Sequence, residues 1–245
     1  MEYYKLVLEY FGGGFVGWQR QENGMSVQEA LEEAIRLFSG ETVVVYVAGR
    51  TDAGVHATGQ VVNFSLVKHY NADTVRDALN FHLRPHPVCV LTAEIIDHSF
   101  HARLSAIQRI YTYKIINRRA PLVLEKGYCW WVPQKLNIDK MKTAAQKLIG
   151  KHDFSTFRAA GCQAKSPVKT LEKLDIRKIG HTVEIKASAR SFLYRQVRNI
   201  VGTLKLVGEE KWSDDDVYHA LQAKDRRKAG PTAPAAGLYL TRVIY

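Results

Sequence analysis

The chain opens with an apolar, β-prone run, YKLVLEYF from Tyr4 to Phe11, which predicts a strand. Ser26-Val27-Gln28-Glu29 then has the S-x-x-E form of a capping box. Val27, Leu31, Ala34, Ile35 and Phe38 follow at helical spacing, and Gly40 stops the helix. Thr42 to Val47 and Val61 to Leu66 are apolar runs of strand length. Asp73 to Leu83 reads as a helix ended before Pro85, and Val88 to Ile96 as a strand. The order β-α-β-β-α-β is that of the split-βαβ, or ferredoxin-like, unit.

A second round follows. Arg109 to Asn117 alternates as a strand. Asn137 caps a helix from Ile138 to Ile149. Val168 to Ile179 and Thr182 to Ala189 form a hairpin around Gly180-His181. Phe192 to Val207 predicts a long helix, Ser213 to Asp216 the start of another reaching Lys224, and Gly237 to Val243 a closing strand. The pattern therefore predicts an α+β fold of two similar halves, 1–104 and 105–245, with no Gly/Ser or Pro-rich linker near Leu104. Lys224 to Ala236, KDRRKAGPTAPAA, reads as a mobile basic loop.

Charge narrows the partners. The 245 residues hold 35 basic and 24 acidic side chains, a formal net of +11. That excess suits a polyanion, nucleic acid before a membrane surface, because no apolar run reaches the roughly 20 residues of a spanning helix. MEYYKLVLEYF reads as a strand and not as a signal peptide. Cys89, Cys129 and Cys162 are isolated, with no C-x-x-C pair, which points to reduced thiols and a cytoplasmic setting. No Cys/His cluster or H-E-x-x-H suggests a metal. Gly12-Gly13-Gly14 lacks the flanking residues of a phosphate cradle, so a nucleotide cofactor is not indicated.

The candidate chemistry lies in VAGRTDAGVHATGQ, Val47 to Gln60. About a dozen residues separate two strands, where a simple hairpin needs only two to five. The loop offers one acid, Asp52, with Arg50 two residues before it. A lone carboxylate suits a nucleophile or general base better than the several acids of a two-metal or glycosidase site. The plain alternative is a turn aspartate that satisfies backbone N–H groups. In RSFLYRQVRNIVGTL, Arg198 shares a predicted helix face with Tyr194 and Val201 and borders the apolar stripe. In QRIYTYKII, Tyr111 and Tyr113 fall on one side of a strand, as core or as a platform for a nucleobase.

GRTDAGVHATGQVVNF resembles the signature of the tRNA pseudouridine synthase A family. GWQRQ (17–21) with SVQEALEEAI, FHARLSA (100–106), YTYKI (111–115), DFSTFRA (153–159), VRNIVGTL (197–204) and GLYL (237–240) follow in the family's order. The resemblance implies the pseudouridine synthase fold: two ferredoxin-like halves side by side, a mainly antiparallel sheet and a central cleft. It implies that uridine's N1–C1′ bond is broken, the uracil turned, and C5 joined to C1′, without cofactor or metal. The substrate would be tRNA, at positions 38 to 40 of the anticodon stem-loop, and the enzyme a homodimer. Asp52 would be the catalytic acid, Arg198 its ionic partner, and Tyr111 the stacking ring. Arg50, grouped with Asp52 and Arg198 in the catalytic set, and His56 would meet RNA or support the loop; Trp18, Gln19, Arg20, Arg103 and Arg158 fall on the RNA side. Phe11 departs from the family pattern, which commonly has an acid there. A reading from another class is a non-catalytic RNA-binding or RNA-chaperone protein, though no K/R-G-F/Y-G/A-F-V-x-F/Y run is present. A metal-dependent RNA nuclease is more distant still.

Overall fold

The computed structural model describes residues 1–245. Its elements are β1 (Glu2–Tyr10), α1 (Val27–Ser39), β2 (Tyr46–Val47), β3 (His56–Leu66), α2 (Ala72–His82), β4 (Val88–Ile96), β5 (Gln108–Ile116), β6 (Trp130–Trp131), α3 (Ile138–Gln146), β7 (Gly150–Asp153), β8 (Val168–Ile179), β9 (Thr182–Ala189), α4 (Gln196–Gly208), α5 (Asp214–Ala223) and β10 (Leu238–Ile244). Helices and mostly antiparallel strands make it an α+β fold. Residues 1–109 with 239–245 form one compact unit, and 110–238 another.

In the first unit the strands lie in the order β4-β1-β3-β10, with β2 on β3. β1 is antiparallel to both neighbours, so Leu6 faces Val62 on one side and Ala93 on the other. Strand alternation sends Tyr4, Leu6, Leu8 and Tyr10 to the buried face. Val27, Ala30, Leu31, Ala34 and Ile35 are the buried stripe of α1. The Ser26 hydroxyl accepts from the Glu29 N–H at the start of α1, and Gly40 ends the helix at φ +77°.

In the second unit the order is β5-β9-β8-β7, with β6 on β5. The β8–β9 hairpin turns at Gly180 (φ +58°), with Ile179 opposite Thr182. The Asn137 side chain accepts from Lys140 N–H to start α3. At α5, Ser213 and Asp216 cap each other reciprocally.

Four expectations are corrected. The strand expected over 42–47 keeps only Tyr46–Val47. β3 starts at His56 and not at Val61, because residues 56–57 pair in parallel with Tyr239 and Leu240, and Ala57 also faces Tyr10. α4 starts at Gln196 and not Phe192. Arg195 takes the left-handed conformation (φ +58°), and the Gln196 side chain accepts the Leu193 N–H, so Tyr194 stands outside the helix that carries Arg198. α3 ends at Gln146, and the residues after it turn into β7, which the hydrophobic pattern does not announce.

Candidate active site

With β3 starting at 56, the acid-bearing loop shortens to residues 48–55, and almost every step of it is fastened. The buried Arg109 donates to Ala48 O through Nε (3.2 Å) and Nη2 (2.7 Å), while Ala48 N–H bonds Val61 O. Gln60 Nε2 holds Gly49 O at 2.7 Å and Tyr10 Oη at 3.3 Å. Tyr10 Oη meets Thr51 Oγ1 at 2.8 Å, and Trp18 N–H donates to Thr51 O. Burial pushes the Tyr10 phenol up to about 12, so it stays neutral and serves as a fixture. Val55 N–H then closes a turn on Asp52 O, with Gly54 at φ +78°, a position that favours glycine.

A wall of two glycine positions lies behind this turn. A Cβ on Gly12 would stand 2.1 Å from Val55 O, and one on Gly17 would stand 3.1 Å from both Thr51 O and Ala53 N. Gly17 also bridges Asp52 in the antiparallel sense. Glycine is required there because backbone approaches backbone. Asp52 itself is half-buried in this loop, and Arg50 in the same loop is exposed.

His56, offered by the sequence either for RNA contact or for loop support, is buried. Its Nδ1 accepts the Gly12 N–H at 3.0 Å, which requires the neutral tautomer with the proton on Nε2. Its ring stacks on Tyr239 at 4.7 Å and meets Phe11 at 5.0 Å. The departure at Phe11 places a phenyl ring against this histidine. Arg20 lies exposed before α1 and pairs with two acids of that helix, Glu32 at 3.2 Å and Glu29 at 3.8 Å. Arg103 is exposed, and its carbonyl accepts from Arg109 Nη2.

The other expected residues belong to the second unit. Tyr111 is buried in β5, with Phe192 edge-on to it at 5.2 Å. Arg198 is half-buried on the first turn of α4, and its Nε donates to Ala233 O at 2.8 Å. Arg158 spans the 159–166 loop, donating to Cys162 O and Ala164 O. An open pocket of about 200 Å³ is lined by Lys151, Val168, Lys169, Thr170, Arg190 and Ser191, a surface fit for anions.

Sequence reasoning missed Arg109, Tyr10 and Gln60. Arg109 left a signal: in QRIYTYKII it alternates in phase with Tyr111 and Tyr113, so a charge sits on the apolar side and has to find buried carbonyls. The hydroxyl and amide roles of Tyr10 and Gln60 left none.

The chain matches the sequence family described as tRNA pseudouridine synthase over residues 6–104 and 144–245. The chain belongs to the tRNA pseudouridine synthase family. It is 58% identical over 245 residues to the tRNA pseudouridine synthase A of Paramagnetospirillum magneticum, covering all of this chain and 96% of that protein. It is 59% identical to the protein of that name from Rhodospirillum centenum, over the full length of both. For the Beijerinckia indica protein the figure is 56%, over all of this chain and 94% of the relative. Both family segments reach the residues described above: Asp52, Tyr10 and Gln60 fall in the first, Arg158, Arg198 and Tyr239 in the second, and Arg109 in neither. Tyr111 lies in the stretch between them.

Proposed function

We propose that this tRNA pseudouridine synthase acts in the anticodon stem-loop, at positions 38, 39 and 40, with Asp52 as the residue that engages the target nucleotide. The observation that carries the reading is the loop 48–55: a single half-buried acid on backbone fastened at Ala48, Gly49 and Thr51. A group that attacks one carbon needs such a fixed frame. A turn aspartate with no further task would not need buried Arg109, Gln60 and Tyr10 behind it.

In this reading Asp52 attacks as nucleophile or acts as base, the N1–C1′ bond breaks, and the detached uracil turns so that C5 joins C1′. The C5 proton is then released and the freed N1 takes up a proton, so the composition of the nucleotide is unchanged. Uridine in a stem has to leave the stack first, at a cost of a few kcal/mol. Tyr111 offers a ring for the extruded base, worth about 1–3 kcal/mol. Arg198 keeps Asp52 ionised and oriented. Arg50, Arg20 and Arg103 contact RNA phosphates; Arg158 does so or holds the 159–166 loop for RNA, and His56 holds the Asp52 loop. The two ferredoxin-like halves, 1–104 and 105–245, the homodimer and a cytoplasmic place belong to the same reading. The order β4-β1-β3 with β2 on β3 supports the first half. No helix is long and apolar enough to cross a membrane.

The test is tritium release from an anticodon stem-loop transcript carrying [5-³H]uridine at positions 38 to 40, wild type beside Asp52→Ala. Release by wild type and none by the variant, with RNA binding retained, supports the assignment. Loss of binding and release together would make Asp52 structural. Wild-type release from full tRNA but from no uridine at 38 to 40 would move the substrate position elsewhere.

A further inference from the structure

The basic stretch from Lys224 to Ala236, expected to be mobile, is tied to α4 at Arg226, Gly230, Thr232 and Ala233. Arg226 donates to Gly230 O (3.0 Å), to Thr232 Oγ1 (3.0 Å) and to Asn199 Oδ1 (3.1 Å). The Thr232 hydroxyl donates to the same Asn199 oxygen at 2.6 Å. Asn199 is fully buried, and its Nδ2 donates to Phe157 O, so both ends of its amide are committed. Gly230 N–H donates to Thr203 Oγ1 at 2.9 Å. The approach is close enough that a Cβ on Gly202 would stand 1.7 Å from Pro231 O. Further along, the buried Tyr113 hydroxyl donates to Pro234 O at 2.8 Å.

Between these fastenings stands Ala233, fully buried, and it grips one residue twice. Its N–H donates to Arg198 O at 3.1 Å, and its carbonyl accepts Arg198 Nε at 2.8 Å. The α4 backbone fixes where Arg198 begins, but an arginine side chain has several rotatable bonds beyond that point. Occupying Nε fixes the plane of the guanidinium, so a carboxylate meets it through the Nη atoms in a defined direction.

We infer that the 225–234 segment is a clamp that aims Arg198, with Arg226, Thr232 and Asn199 as positioning residues for the isomerisation. This rests on the reading of Arg198 as the ionic partner of the catalytic acid. None of the three has to touch RNA for the clamp to work. Arg226 is held by acceptors on both α4 and the segment, and is partly desolvated by them.

The test is a double-mutant cycle under single-turnover conditions, with tRNA binding measured separately. Arg226→Gln is expected to lower the rate of pseudouridine formation roughly tenfold while Kd for tRNA stays within about twofold. In an Arg198→Ala background the same substitution is expected to cost nothing more, because there is no guanidinium left to aim. Thr232→Val should act in the same direction and Thr232→Ser should restore the wild-type rate, which keeps the test open should Arg226→Gln fold poorly. The clamp is overturned if Arg226→Gln lowers the Arg198→Ala rate by its full factor again, or if it weakens tRNA binding and leaves the rate alone. A wild-type rate for Arg198→Ala would remove the role of Arg198 itself, an outcome visible before any Arg226 variant is made.

Discussion

Residues 1–109 with 239–245 hold 10 basic and 12 acidic side chains, a net of −2, whereas residues 110–238 hold 25 and 12, a net of +13. The whole excess of charge in the chain therefore belongs to the unit without Asp52. The two units also spend their buried polar groups differently. In the first, Arg109, Gln60, Tyr10 and His56 hold eight residues of loop around one acid. In the second, Asn199, Thr203 and Arg226 hold a segment against one arginine. Long-range attraction for a polyanion comes from many exposed cations in a flexible surface. Covalent chemistry needs one group held still. The positive charge that favours a polyanion lies on residues 110–238, and the loop that holds Asp52 lies in the other unit.

The comparison can be broken most sharply at Asp52. Asp52→Asn is expected to lower turnover more than about 1,000-fold, with Kd for tRNA changed by less than roughly threefold. Titration of tRNA binding beside single-turnover rates checks this, and a large loss of affinity would show that the near-neutral unit carries binding after all. Next comes the wall behind the loop. Gly12→Ala would place its Cβ against the Val55 carbonyl, a backbone atom that cannot move aside cheaply. A loss of at least about 2–3 kcal/mol in urea unfolding is expected, with activity falling alongside.

On the charged side, Tyr111→Ala should cost about 1–3 kcal/mol in kcat/KM by removing the stacking ring, and Tyr111→Phe much less. The two variants separate a stacking role from a hydroxyl role in one steady-state comparison. The smallest effect is expected from Lys151→Gln with Lys169→Gln at the basic pocket. KM should rise several-fold, the slope of log K against log salt should flatten by about 1–2, and kcat at saturating tRNA should hold. Arg36→Gln, whose partner Glu33 lies on the same helix of the other unit, should leave all three unchanged.

The start of α3 and the box opening α5 were legible because a cap is written within four residues, as at Asn137 and Ser213. The β8–β9 hairpin was legible because Gly180 sits between two alternating runs. His56 as the first residue of β3 was not, because its strand partner Tyr239 lies far along the chain. The start of α4 at Gln196 was missed because a non-glycine residue, Arg195, supplies the left-handed turn. The acid itself stood out by type and loop length. The residues that hold it did not, since a buried arginine or tyrosine hydroxyl declares its partner only when the partner is in place.

The sequence by itself determined the five helices and the longer strands in their order, though not β6 or β7, together with the placing of one acid in a loop, the family and the basic balance, since each depends on residue type or short-range pattern. Only the tertiary structure decided that the loop is eight residues long, that His56 is buried and accepts the Gly12 N–H, and that Arg226, Gly230, Thr232 and Ala233 are bonded to α4. Those outcomes depend on hydrogen bonds between groups far apart in sequence. Such bonds form where burial leaves a polar group no water to turn to, and which groups are buried together is known only once the chain has packed.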